Sequence, residues 1–145
     1  MDMMKIREMV ELDMPINNEK LDTESLHIPQ LHSKYLNMHQ DEKFQYYSLN
    51  MEYKKLKKLK WEYYTGKLDE ETLKTLKWPQ FDLKILRNDI PMYLESDTDL
   101  MSLEKRVLLQ EEKVDYLSSI LKGLNNRQFH IRDAITWRKF INGVN

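Results

Sequence analysis

Apolar residues recur along most of this chain at intervals of three and four, the spacing of one face of an α-helix. Met3, Ile6 and Met9 or Val10 predict a short amphipathic helix over Met3–Leu12, ended by Asp13-Met14-Pro15. Residues 16–30 read as a polar connector, with Pro29 near the first turn of the next helix, where its missing N–H costs little. No Gly or Pro interrupts Leu31–Thr65, and Gly66 stands where a helix C′ residue belongs. That span predicts a helix of about 35 residues, roughly 50 Å long at 1.5 Å per residue. Its apolar positions shift from Leu31, Tyr35 and Met38 to Phe44, Tyr47 and Met51, then to Leu56, Leu59 and Tyr63, so different heights meet different partners.

Leu68–Leu76 predicts a short helix, with Asp69-Glu70-Glu71 at the end its dipole favours and Pro79 beyond it. Phe81–Glu95 alternates at Phe81, Leu83 and Ile85 before Pro91 breaks the pattern, which reads as an extended linker or an edge hairpin. A second long helix opens at Asp97 or Thr98, with Asp97 as cap. Leu100, Leu103, Val107, Gln110, Val114, Leu117, Leu121 and Leu124 fall on its a and d heptad positions, and Gln110 is the polar break that sets register. Gly123-Leu124-Asn125-Asn126 then reads as a turn, and Gln128–Asn142 as a last helix. The fold class is all-α: two long helices with short N-terminal and C-terminal helices. Three glycines and four prolines are too few turn-makers for a sandwich or barrel.

At 145 residues the chain is one domain or two small helical units. It has no cysteine, which excludes disulfides, a thiol nucleophile and cysteine-held metals. Met1–Leu12 is too charged for a signal peptide, and the longest run without Asp, Glu, Lys or Arg, Ser25–Ser33, falls far short of a membrane span. A soluble, cytoplasmic chain is expected, with no membrane association. Net charge is only −1, but it is unevenly spread. Residues 51–67 hold six basic against two acidic side chains, and 121–145 hold five against one, in an otherwise acidic chain. A polyanion partner would bind at one of these two islands.

The first island is Lys54-Lys55-Leu56-Lys57-Lys58-Leu59-Lys60-Trp61-Glu62-Tyr63-Tyr64-Thr65-Gly66-Lys67. At about 100° per residue, Leu56, Leu59 and Tyr63 share a narrow core face. Lys54, Lys57, Lys58 and Trp61 lie opposite, flanked by Lys60 and Tyr64. Lysines bind phosphates whatever the sequence, and aromatics between them offer stacking platforms for unpaired bases. Lysines also gather at helix C-termini for the dipole and for solubility alone. A merely solvated face, however, gives no reason to expose Trp61. Lys54, Lys57, Lys58, Lys60, Trp61, Tyr64 and Lys67 are therefore the candidate nucleic-acid-binding set. The second island, Lys122, Arg127, Arg132, Arg138 and Lys139, could add phosphate contacts or meet the acidic segment of a neighbouring chain; the apolar residues mixed into it favour an interface. Leu117, Leu121, Leu124, Phe129, Ile131, Ile135, Arg138 and Ile141 are the candidate oligomer contacts. On this division residues 1–96 form a DNA-binding region and 97–145 an oligomerisation region.

Catalysis finds little support. His27, His32, His39 and His130 lack metalloprotease spacing, and no carboxylate completes a metal set with His32 and His39. The three glycines are isolated, so there is no phosphate-cradling loop. No catalytic residue, metal or cofactor is expected.

Three stretches together resemble the UvsY family, the recombination mediators of T-even-type bacteriophages. Leu31-His32-Ser33-Lys34-Tyr35-Leu36-Asn37-Met38-His39 is similar to its Ser-Lys-aromatic-Leu-Asn-x-His segment. Lys58-Leu59-Lys60-Trp61-Glu62-Tyr63-Tyr64-Thr65-Gly66 resembles its basic-x-basic run into Tyr-Tyr-Ser/Thr-Gly, with Lys60 where the family often has arginine. Arg127-Gln128-Phe129-His130-Ile131-Arg132, with Arg138-Lys139-Phe140 and Gly143, resembles its C-terminal helix, and Asp97-Thr98 fits the start of its second long helix. The resemblance implies a non-enzymatic mediator that binds single-stranded DNA, with Lys58 and Lys60 as the basic pair. It implies a closed homo-oligomer, a hexamer or more readily a heptamer, assembled through the C-terminal helices. It further implies loading of a RecA-like recombinase onto strands covered by single-strand-binding protein, in the cytoplasm of the infected host cell. The other reading of the residues is a coiled-coil interaction adaptor without nucleic-acid binding, or an accessory subunit that binds DNA only inside a larger complex.

Overall fold

The computed structural model describes residues 1–143, and among them are five α-helices and no strand. In chain order these are α1 (Met3–Asp13), α2 (Leu21–Tyr64), α3 (Glu70–Leu76), α4 (Ile90–Glu95) and α5 (Thr98–Ile141). A single 3₁₀ turn, Arg87–Asp89, precedes α4. The all-α class follows directly from the three-and-four periodicity, and α2 and α5 are the two long helices, of 44 residues each.

Three boundaries differ from the sequence expectation. Helix α2 starts at Leu21, so Pro29 lies inside it rather than in its first turn. An interior proline removes one backbone hydrogen bond and costs about 3 kcal/mol. Anchors on both sides offset that cost: Leu21 and Leu31 are buried, and Glu24 pairs with Arg127 at 2.9 Å. Helix α5 runs straight through Gly123–Asn126, and the expected C-terminal helix is its final turns. Gly and Asn cost a helix no more than about 1 kcal/mol each against Ala. Burial of Leu124 within the stretch, and the bonds of Arg127 just beyond it to Glu24 and Met14 O, outweigh this. Phe81–Glu95 has no hairpin: 81–86 is irregular, and Ile90–Glu95 is helical because Pro91 sits in its first turn, where proline is tolerated.

The chain folds as two compact units, Met1–Phe44 with Glu111–Asn145, and Gln45–Gln110. In the first, Ile6, Leu31, Tyr35, Leu117 and Leu124 form one buried cluster, with Val10, Met38, Tyr116 and Leu121 packed around it. Glu42 pairs with Lys113 and Glu24 with Arg127, so α2 and α5 run antiparallel there. In the second, Lys60, Tyr63, Ile90, Leu100, Leu103, Val107 and Gln110 are buried. The α5 heptad positions thus face the interior of a single chain.

Along α2 the seam follows sevens in two rows, Tyr35, Glu42, Leu49, Leu56 and Tyr63, and His39, Tyr46, Tyr53 and Lys60, all buried or half-buried. Phe44, Tyr47 and Met51 fall off this register and are exposed, which corrects their reading as a core face. Two charged residues at seam positions, Glu42 and Lys60, hid the register in the sequence.

Candidate nucleic-acid interface

The last turns of α2 end in a glycine-dependent cap. Gly66 takes φ +72°, and the backbone N–H groups of Gly66 and Lys67 donate to the carbonyls of Tyr63 and Glu62 at 3.3 and 2.8 Å. These bonds satisfy carbonyls that a helix end leaves open, and the left-handed residue they require favours glycine. The cap fixes where α2 stops. It also turns Lys67 back over the Trp61 ring, 4.2 Å from its centroid.

Within this unit Lys54, Lys55, Lys57, Lys58 and Lys67 are exposed, as is Trp61. Lys54, Lys57, Lys58 and Trp61 are three and four residues apart and therefore share one outward stripe. Lys58 is 80% exposed, with Glu62 only at the 4.0 Å limit of an ion pair. Lys57 lies 6.0 Å over the Tyr53 ring. Surface pairs of this kind contribute little and rearrange readily, so these ammonium groups are available to an anion.

Lys60 and Tyr64 are placed differently. Lys60 is 5% exposed, and its Nζ donates to Asp99 at 2.8 Å and meets Asp97 at 3.1 Å. The same ammonium sits 4.1 Å from the Trp78 ring centroid, an attractive position over an aromatic face. The Tyr64 hydroxyl donates to Asp97 at 2.6 Å, and its ring meets Phe81 edge-on at 5.1 Å and Tyr93 at 5.6 Å. Asp97 also caps α5 by accepting from the Leu100 N–H at 2.9 Å. Burial pushes the Asp97 carboxyl upward, but hydrogen bonds from Tyr64, Leu100 and Lys60 outweigh it and leave the group below its ordinary value. The Tyr64 phenol is raised, by burial first and then by its bond to Asp97. Of the seven candidate DNA-binding residues, then, five share the open surface, while Lys60 and Tyr64 face inward.

Trp78, Phe81 and Tyr93 lie in a segment that carries no motif, and sequence reasoning did not attach them to the site. The usable signal was the seam register, which puts Lys60 seven residues beyond Tyr53 on the packed side of α2. A buried lysine needs counter-charges, but the acidic cluster nearest in sequence is Asp69-Glu70-Glu71, and the fold supplies Asp97 and Asp99 instead.

The candidate oligomer contacts also divide. Leu117, Leu124 and Ile131 are buried inside the chain, and Leu121 is half-buried against the core. These side chains are spent on the packing of this single chain. Phe129, Ile135 and Ile141 are exposed, together with Trp137 and Phe140, whose rings stack at 5.6 Å. Arg138 donates to the Asn18 backbone and side-chain oxygens. From the second basic island, Arg127 is buried and donates to Met14 O at 2.6 Å and to Glu24 at 2.9 Å, whereas Lys122, Arg132 and Lys139 are exposed. Among the described residues no three acidic or histidine side chains converge to hold a metal ion. No described helix is long and apolar enough to cross a membrane.

Comparison with known proteins gives a consistent result. The family described as "Recombination, repair and ssDNA binding protein UvsY" matches residues 9–144. Crystal structures of the bacteriophage T4 recombination mediator protein UvsY superimpose in three lattice types. Type II gives a TM-score of 0.85 at 22% identity over 98% of each chain. Type I gives 0.82 at 23%, over 94% of this chain and 98% of that one. Type IV gives 0.81 at 22%, over 97% and 98%. Identity at this level speaks for the fold. Among curated protein sequences, none matches.

Proposed function

From the premise that this chain belongs to the UvsY family of recombination, repair and single-stranded-DNA-binding proteins, we propose that it is a non-enzymatic recombination mediator that binds single-stranded DNA along the exposed stripe of α2. The observation that carries this reading is the row Lys54, Lys57 and Lys58 with Trp61 and Lys67, open to solvent on one side of a capped helix end. Lysines there neutralise phosphates and release counterions, while Trp61 gives an unpaired base a surface to stack on.

Assembly is part of the same proposal. The exposed apolar residues of the last α5 turns, Phe129, Ile135, Trp137, Phe140 and Ile141, suit burial against other copies in a closed homo-oligomer, with seven copies favoured over six. In functional terms residues 1–96 then supply the DNA surface and 97–145 the assembly surface. A ring holding many modest sites binds a long strand tightly, because linked sites raise effective concentration. Such wrapping loosens single-strand-binding protein and presents the strand to a RecA-like recombinase, in the cytoplasm of the infected host cell. The acidic remainder of the surface serves the protein partners.

Fluorescence anisotropy of a labelled single-stranded oligonucleotide, titrated at several salt concentrations, tests this directly. Binding should fall log-linearly with salt and be weaker for duplex. Replacing Lys54, Lys57 and Lys58 together by Ala should lower the slope by roughly 2, at ~0.7 for each phosphate that is no longer neutralised. No binding at low salt by folded protein would sink the reading and leave a helical adaptor. Phe140→Ser with Ile141→Ser should shift sedimentation toward monomer, and an unchanged particle would place the assembly surface elsewhere.

A further inference from the structure

The ammonium of Lys60 is enclosed by Asp97, Asp99 and the Trp78 ring at 3.1, 2.8 and 4.1 Å. Its helix neighbours Lys57, Lys58 and Trp61 face solvent. Drawing Lys60 out to a phosphate would leave the Asp97 carboxylate, 4% exposed, without its counter-charge. An unpaired buried charge is among the costliest states a fold can hold. Tyr64 is tied in the same way: its hydroxyl is spent on Asp97, and Tyr63, Phe81 and Tyr93 crowd its ring at 5.2, 5.1 and 5.6 Å. The half-buried ring is thus held within its own aromatic cluster.

We infer that Lys60 and Tyr64 are positioning residues for DNA binding rather than contacts to the strand. They lock the last turns of α2 onto the Asp97 cap of α5, so that Lys54, Lys57, Lys58 and Trp61 are held outward in one fixed stripe. This assignment rests on the DNA-binding reading above. The lock works because Asp97 serves two elements at once. One oxygen caps α5 through Leu100, and the other receives Tyr64 and Lys60 from α2. The cap holds Asp97 in place, and rotation of the α2 end must break the Tyr64 hydrogen bond and the Lys60 ion pair together. Arginine at position 60 would keep the lock, since its planar fork can serve both carboxylates.

The test uses the full chain, a labelled oligothymidylate and anisotropy at several salt concentrations, held cold, with circular dichroism confirming the fold of each variant. Lys58→Ala serves as the reference for a residue that touches the strand, lowering the salt slope by ~0.7 for its one phosphate. Lys60→Met should weaken binding roughly fivefold at fixed salt, as expected for coupled neighbours, with the slope of the parent protein. Lys60→Arg should restore affinity to within about twofold at the same slope. A slope decrease in Lys60→Met like that of Lys58→Ala would make Lys60 a phosphate ligand and overturn the assignment. Unchanged affinity in folded Lys60→Met would reduce the cluster to general stability and overturn it equally. Should Lys60→Met not fold, Tyr64→Phe decides, since it removes one hydroxyl and keeps the ring. Binding weakened about twofold at constant slope supports positioning, and unchanged binding refutes it. A parent protein that binds no strand at low salt refutes the DNA reading itself and takes the positioning role down with it.

Discussion

The two compact units contain the same polar trio in different surroundings. In the first, Asp13 accepts from the Tyr35 hydroxyl at 2.9 Å and from Lys34 at 2.6 Å. In the second, Asp97 accepts from Tyr64 at 2.6 Å and meets Lys60 at 3.1 Å. The lysine and carboxylate side chains are 41% and 23% exposed in the first trio but 6% and 4% in the second. Identical chemistry therefore has different consequences. Where water competes, the lysine is an accessory; where water is excluded, the carboxylate cannot do without it. The first unit is held by its apolar cluster, to which Tyr35 belongs, with Lys34 and Asp13 at its margin. The second has the trio at its centre, which leaves the other lysines of the α2 end outward and open to an anion.

The largest effect expected from this contrast is on stability. Lys60→Met should destabilise the protein by about 3–5 kcal/mol in urea unfolding, because it strands a buried carboxylate. Equal costs for Lys60→Met and Lys34→Met would break the comparison. The tyrosines should be more alike: Tyr35→Phe and Tyr64→Phe each remove a hydrogen bond to a charged group, worth about 1.5–3 kcal/mol. Only a clear difference between the two would show that burial governs this bond as well.

Titration sharpens the contrast further. Both carboxyls are subject to burial, which raises them, yet hydrogen bonds from the neighbouring lysine and tyrosine leave each below its ordinary value of 3.8. A carboxyl lowered on folding stabilises the fold above its unfolded value and loses that contribution as pH falls through the lowered folded value. Stability should therefore drop in acid below about pH 4, and Asp97→Asn should flatten that limb more than Asp13→Asn. The phenols behave oppositely. Tyr35 and Tyr64 are raised above 10.0, by burial and then by the bonded carboxylate. Their contribution is complete below that ordinary value and disappears as pH climbs past it. Thermal melts from pH 2 to 11 would show both limbs. The smallest effect belongs to Lys34→Met, below about 1 kcal/mol, as for exposed pairs generally.

Much of the fold was legible in the sequence because burial on α5 follows aliphatic residues. Leu100, Leu103, Val107, Leu117 and Leu124 announce their face, and the buried Gln110 among them was visible as the polar break. Helix α2 was harder to read. Its seam passes through Glu42 and Lys60, whose partners Met1, Lys113, Asp97 and Asp99 all lie 37 or more residues away, so apolar periodicity alone drifted onto Phe44, Tyr47 and Met51. Local propensity also misplaced the breaks. Pro29 and Gly123 would interrupt isolated helices, but buried anchors on their flanks override them. The lysine row was legible as a row. Which lysine turned inward was not, because that depends on Trp78 and Asp97, placed by the fold and not by neighbouring sequence.

The span of chain closed by each set of contacts has a kinetic consequence. Tyr64 reaches Asp97 across 33 residues, whereas Arg127 reaches Met14 across 113. Closing the longer loop from an open chain costs about 1 kcal/mol more entropy, by the logarithmic dependence on length. Once the shorter loop has formed, part of that extra span is already gathered. The junction at Asp97, like the Tyr35–Asp13 contact across 22 residues, is thus placed to form before the contacts of α5 with the N-terminal segment. In stopped-flow measurements Leu103→Ala should then chiefly slow refolding and Leu124→Ala chiefly speed unfolding, so that the junction displaying the lysines is ordered before α5 closes on the N-terminal segment.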